Sequence, residues 1–216
     1  MAGTITISSS YGADGDALGR EVAQRLGVQF FDRAIPVAVA RTLAVDPDEA
    51  IAKDWRAPGR IERVLTAMMS SSTQFGLLDG QAEIYSNPDV FRQTTETVMR
   101  QIADGDGGVI LGRASMVVLR NRPDVLCIRL DGPVEGRIRH VVQRGLADEA
   151  TARREQKVTD DARDAYGRTF YRARQDDPSL YHVMLDSTAL SHETCVGIVL
   201  KAAADRLGLI ENAPKS

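Results

Sequence analysis

The 216-residue sequence predicts an α/β protein, a parallel β-sheet covered by helices on both faces. Three observations predict it: short uninterrupted apolar runs, a helical pattern after each run, and a glycine-bearing turn between the first run and its helix. The runs Thr4 to Ser8, Gly108 to Leu111, Val125 to Leu130 and His182 to Leu185 are rich in Val, Ile or Leu. Such runs suit strands that meet water on neither face. Val28 to Phe31 is a weaker fifth candidate. Helical patterns cover Asp16 to Leu26, Arg33 to Leu43, Arg60 to Leu78, Pro88 to Ala103, Ala114 to Arg120, Pro133 to Arg144, Asp148 to Arg174 and Ser191 to Leu207. The stretch Asp46 to Asn87 breaks the alternation. It has no convincing strand and carries Trp55, Pro58, Gly59 and a Ser70-Ser71-Ser72 cluster, so it is expected to be a helical insertion. Trp55 and the Met68-Met69 pair within it suit core or subunit contacts. The tail Asn212 to Ser216 is expected to be disordered.

At 23.5 kDa the chain can bury one substantial core and is short for two, so residues 1–216 read as one domain. Lys+Arg total 27 against 30 Asp+Glu, a net charge of −3, so no global basic field recommends nucleic acid or an anionic membrane as partner. No apolar run approaches the ~20 residues of a membrane span, and MAGTITISSS is unlike a secretory leader. The cytoplasm is the expected compartment. Cys127 and Cys195 lie far apart without metal-ligand spacing, which argues against a disulfide framework or a zinc site. His140, His182 and His192 show no ligand spacing and no nucleophile partner.

The segment Thr4 to Leu26 has the order of a phosphate-binding loop: strand, glycine turn, helix start. Gly12 and Gly15 suit positive φ in such a turn, and Gly19 suits close packing of the helix on the strand. Ser9, Ser10, Gly12, Ala13, Asp14, Gly15, Asp16 and Ala17 are therefore the candidate phosphate-binding residues, with Ser8 to Ser10 offering hydroxyls. The loop lacks the lysine and Ser/Thr of a complete Gly-x-x-x-x-Gly-Lys-Ser/Thr pattern. Asp14 and Asp16 either cap the helix or face a polyphosphate through magnesium.

Taken with the segments downstream, the chain resembles the cytidylate kinase-like family, a branch of the P-loop nucleoside monophosphate kinases. Ser8-Ser9-Ser10-Tyr11-Gly12-Ala13-Asp14-Gly15 is similar to that family's Ser-Arg-x-Tyr-Gly-Ser-Gly-Gly loop, and Leu26 to Arg33 to its Leu-Gly, aromatic, Asp-Arg segment. Val109-Ile110-Leu111-Gly112-Arg113 resembles its strand ending in Gly-Arg. Val125 to Leu130 with Pro133 to Arg139 resembles the strand and arginine-bearing helix before the lid. Asp160-Asp161-Ala162-Arg163-Asp164-Ala165-Tyr166 is similar to the Asp-x-x-Arg-x-x-Tyr lid, and Tyr181 to Thr188 to the terminal strand. The resemblance spans roughly residues 4 to 205. It implies a three-layer P-loop kinase fold with the 46–87 insertion and an arginine-rich lid over 148–176.

It also implies ATP and magnesium, nucleotide substrates, and a γ-phosphoryl transfer to a nucleoside monophosphate or similar acceptor. Arg113 would serve the acceptor side, Arg137 the phosphates, and Arg163 would close with the lid on the donor while Asp160 orients it. Arg139 is expected to be a solvated neighbour. Asp32 either orients the acceptor, holds a metal-bound water, or caps the next helix. Four departures stand out: Ser9 for the loop arginine, Asp14 for a glycine, Asp16 where arginine is common, and His182 for an aspartate. Each lost or reversed charge pair at ~4 Å is worth on the order of 1 to 4 kcal/mol. This motivates the alternative, a P-loop pseudoenzyme kept as an anion-binding or oligomeric module, with a homo-oligomer formed through the insertion.

Overall fold

The structure is a computed structural model that describes residues 3–32 and 88–211. The expected helices at Arg33 to Leu43 and Arg60 to Leu78, the 46–87 insertion with Trp55, Met68 and Met69, and the 212–216 tail lie outside the described residues. In chain order the elements are β1 (Thr4–Ser9), α1 (Gly15–Leu26), β2 (Phe30–Phe31), α2 (Pro88–Asp104), β3 (Gly108–Leu111), α3 (Ser115–Leu119) and β4 (Val125–Asp131). They continue with α4 (Val134–Gln143), α5 (Glu149–Tyr171), a 3₁₀ turn (Pro178–Leu180), β5 (Val183–Asp186) and α6 (His192–Leu207).

The five strands form one parallel sheet in the order β2-β3-β1-β4-β5. Thr4 of β1 is aligned with Gly108 on one side and Val125 on the other. The chain leaves β1 toward β2 and β3, then crosses to the opposite side with β4. That reversal opens a crevice at the carboxyl ends of the strands, where open α/β sheets bind ligands.

Strand alternation divides the core. Ile5, Ile7, Leu126, Ile128 and Leu130 pack with Leu18 and Val22 of α1 and Val196 and Val199 of α6. Ile110, Val125 and Cys127 pack on the other face with Val98 and Met99 of α2, Met116 and Leu119 of α3, and Tyr166 of α5. β1, β3 and β4 match the expected runs closely. β5 departs from two-sided burial, because it is an edge strand: Val183 and Leu185 join the core while Met184 is 44% exposed. α5 stops at Tyr171, short of the expected Arg174, because Arg172 adopts the left-handed conformation. Among the described residues no helix is long and apolar enough to cross a membrane.

α1 is held tightly against the sheet. It ends at Gly27, left-handed, whose N–H closes onto the carbonyls of Ala23 and Gln24. At Gly19 a Cβ would stand 2.6 Å from the Phe30 ring and 3.3 Å from Ile7 Cδ1, so helix and strands approach as closely as glycine allows. Gly19→Ala is expected to destabilise the fold by about 1 to 3 kcal/mol through overpacking, read by urea unfolding. An unchanged midpoint would show that Phe30 gives way freely.

Candidate active site

The turn from β1 to α1 is built by three backbone choices. Ser10 N–H donates to the Leu130 carbonyl (3.1 Å), and Ala13 N–H closes a turn on the Ser10 carbonyl (3.1 Å). Gly12 takes φ 76°, and a Cβ there would also stand 2.6 Å from the Arg137 carbonyl oxygen. The expectation of positive φ at Gly15 is corrected: Asp14 is the left-handed residue, at φ 61°. Asp tolerates that region better than most side chains. Gly15 is required for space instead, since its Cβ would meet Ser9 Cβ at 2.6 Å. Leu18 N–H makes the first helical bond, to Asp14 (3.1 Å). The N–H groups of Gly15, Asp16 and Ala17 are then first-turn donors that a helix cannot pair internally, at the positive end of its dipole.

Neither aspartate behaves as a simple cap. Asp14 makes no side-chain capping bond; its carboxylate pairs with Arg144 at the end of α4 and lies 3.3 Å from His192 Nδ1. His192 Nε2 in turn lies 2.8 Å from Glu21. Asp16 pairs with Arg20 on the exposed face of α1 (2.9 Å). Both carboxylates that the sequence sets at the loop therefore have cationic partners.

Three arginines meet the loop from above. Arg137, 4% exposed, donates from Nε to the Gly132 carbonyl (2.9 Å) and from Nη1 to the Tyr11 carbonyl (2.7 Å) and Asp160 (2.8 Å). Asp160 also accepts the Tyr11 N–H (2.9 Å) and the Gln156 amide (2.8 Å). Arg163 donates to the Ser9 carbonyl (2.7 Å). The expected bond from Asp160 to Arg163 is thus replaced by one to Arg137, while Asp160 acts on Arg163 through its charge. Arg163 keeps part of its surface open, yet its guanidinium is packed densely enough that burial pushes it below its ordinary value, against the pull of Asp160. Burial and the bond to Glu155 (2.7 Å) push the Tyr11 phenol up.

The third is Arg129 on β4, 5% exposed. Nη1 donates to Ser8 Oγ (3.0 Å) and Gln175 (3.2 Å), and Nη2 to Ser10 Oγ (2.7 Å) and Asp131 (3.0 Å). Sequence reasoning missed Arg129 and Asp131. The available signal was a pair of charges, two residues apart, inside the otherwise apolar run Val125 to Asp131.

Asp32 directly follows β2, and its charge acts on both Arg163 and Arg20. Arg113 follows β3, one strand from the loop, at φ 57° between left-handed Gly112 and Ala114. Gly112 N–H ties this bend to Ile7 of β1 (2.8 Å). The loop also borders a cavity of about 360 Å³, walled by Ala13 and Asp14, by Arg139 and His140 of α4, and by Thr188 and His192. Arg139, expected in solvent, faces this space from an exposed position. His140 Nδ1 is buried without a partner among the described residues. Among the described residues no group of three or more His, Cys, Asp or Glu side chains is placed to hold a metal.

The sequence model of the cytidylate kinase-like family matches residues 4–189. The chain belongs to that family. A structure of an uncharacterized protein from Eubacterium ventriosum aligns over 94% of this chain and 99% of its own, with a TM-score of 0.65 at 15% identity. A sugar kinase structure from Janibacter sp. aligns over 98% of this chain and 100% of its own, with a TM-score of 0.51 at 16% identity. Both likenesses concern the fold, which is the three-layer P-loop kinase fold. A protein from Corynebacterium glutamicum named uronate isomerase is 24% identical over 157 residues, 73% of this chain and 30% of that protein. The chain thus spans under a third of that relative's length.

Within this family member the Arg129–Asp131 pair gives a pH signature. Burial pushes the Asp131 carboxyl up, but Arg129 beside it, Ser10 and the Gly132 amide outweigh burial and hold it below its ordinary value. A lowered carboxyl stabilises the fold above about pH 4, and that stabilisation is lost as pH falls through the lowered value. Asp131→Asn is expected to be less stable than the wild type at neutral pH and to lose less stability between about pH 4 and pH 2. Urea midpoints measured across that range check this; parallel curves for the two proteins would refute it.

Proposed function

We propose that the chain is a nucleotide-dependent phosphotransferase that moves the γ-phosphoryl of a nucleoside triphosphate to a nucleoside monophosphate or similar small acceptor. The observation that carries this is the meeting of Arg137 and Arg163 with the glycine turn at the carboxyl end of the central strand. Phosphoryl transfer asks a protein mainly for positioning and for neutralisation of charge, and arginine forks with first-turn amides provide both. An acceptor oxygen would attack the γ-phosphorus as its bond to the β–γ bridging oxygen breaks, releasing the diphosphate.

The donor phosphates would lie on the amides of Gly15, Asp16 and Ala17, where no helical partner competes. The adjoining cavity of about 360 Å³ is large enough for a base and ribose, with the Arg139 guanidinium available for stacking. Magnesium, arriving on the triphosphate, supplies charge neutralisation on the phosphate oxygens. Arg163 closes the site from α5, and Arg113 and Asp32 stand at the ends of the neighbouring strands on the acceptor side.

A second reading, a P-loop module without turnover, is favoured by one observation: Asp160 places a carboxylate on a loop amide. The two are separated by a coupled assay with ATP, magnesium and a panel of nucleoside monophosphates and small phosphorylatable acceptors. The kinase is expected to turn over at least one of them. Mg·ATP at about 100 times its Kd should stabilise the fold by about 2.7 kcal/mol. Arg163→Ala is expected to lower kcat/KM on the order of 100-fold. No turnover and no thermal protection by any triphosphate would leave the module alone standing.

A further inference from the structure

The segment Ser8 to Gly19 holds no lysine or arginine, although a polyphosphate seated at the start of α1 calls for a cationic side chain beside its oxygens. A guanidinium reaches the loop from the neighbouring strand. Arg129 of β4 is in register with Ser8 of β1, and pleat alternation sets it on the same face as Ser8 and Ser10, whose hydroxyls it holds.

This position asks for an apolar residue. The preceding residues on that face of β4, Val125 and Cys127, are fully buried in the core. Arg129 instead brings a charge that acts on the Arg163 guanidinium, and its own Nε is buried with no partner among the described residues. Its Asp131 partner keeps about a third of its side chain in solvent. Hydroxyls make weak counter-groups for a buried guanidinium, and an unfilled donor beside them marks incomplete satisfaction. A phosphoryl oxygen has the charge that the two hydroxyls lack, beyond what the single Asp131 carboxylate supplies.

We infer that Arg129 is the cation of this phosphate loop, supplied from β4 instead of from the loop itself, and that it binds phosphoryl oxygens by exchanging its bonds to Ser8 and Ser10. Ser8 and Ser10 then act as placeholders that keep the fork aimed at the turn while no phosphate is bound. The loop can lack a basic residue and still carry a cation at its mouth. This rests on the kinase assignment above, because it presumes a phosphate chain at the turn.

The test uses the whole chain and two probes, Mg·ATP and inorganic tripolyphosphate, with affinities read from thermal-shift titrations at several salt concentrations. Arg129→Met is expected to weaken tripolyphosphate about tenfold and to flatten the dependence of binding on salt. Should Arg129→Met fail to fold with Asp131 left short of a partner, the Arg129→Met/Asp131→Leu variant removes the pair together and is compared with Asp131→Leu. The same tenfold weakening and flatter salt dependence are expected there. Equal affinities in that comparison, or a loss with an unchanged salt dependence, would overturn the role of Arg129 while leaving the kinase assignment intact. A wild type that neither Mg·ATP nor tripolyphosphate protects would overturn both.

Discussion

The carboxylate of Asp160 is the joint on which the site depends. It accepts the Tyr11 amide from the loop, Arg137 from α4 and Gln156 from its own helix, α5. Arg137 passes the linkage on to the carbonyls of Tyr11 and Gly132. The loop is thereby fixed to α4 and α5, more than a hundred residues downstream, around a partly buried ion pair. Removing Asp160 would leave the buried Arg137 guanidinium to the more distant Asp131 carboxylate, 3.6 Å away, and would free the Tyr11 amide. The loop gains its shape from the same place: the Arg137 carbonyl lies so near Gly12 that no side chain fits between them.

Charge alternation carries this order outward. From Arg144 the chain of partners runs through Asp14 and His192 to Glu21 and Arg25, and on the other side of the loop from Arg129 through Asp131 toward Arg137 and Asp160. Asp14 and Asp16 therefore do not act as bare negative charges on an incoming anion. Asp16 spends its charge on Arg20 at the surface, where such a pair is worth little to stability, and Asp14 is compensated by Arg144. The outcome is a loop without basic residues in a neighbourhood rich in them.

Much of the fold could be read from the sequence, because parallel strands buried on both faces announce themselves as apolar runs. β3 runs over the expected Gly108 to Leu111, and β1 and β4 extend by only one residue at their ends. β5 is the instructive exception, since nothing local in Tyr181 to Leu185 says that it will be an edge strand with one open face. The site was legible in type more than in pairing. Arg137 and Arg163 could be named from their segments, but which carbonyl or carboxylate each one meets depends on how α4 and α5 pack, and helix packing leaves no short-range trace. Arg129 was hidden for the opposite reason. It sits inside a run whose hydrophobicity drew attention to the strand and away from the one residue that breaks it.

A carboxylate on a phosphate-loop amide could be taken as a block, with the protein's own anion filling the place of a ligand. Its location limits that conclusion. Asp160 engages Tyr11, on the side of the turn that faces α5, whereas Ala13 and Asp14 face the cavity beside α4 and α6. The first-turn amides from Gly15 to Ala17 come after the turn has reversed direction at Asp14. Asp160 and a phosphate on those amides are therefore not competitors for the same donors. What they share is the cationic ground between them, Arg137 and Arg163, and an anion arriving there draws on charge that Asp160 already partly neutralises. Under the proposed function, affinity for phosphate would be set by how far the guanidinium groups can serve two anions at once, a condition that fork-shaped arginines meet better than a single lysine would.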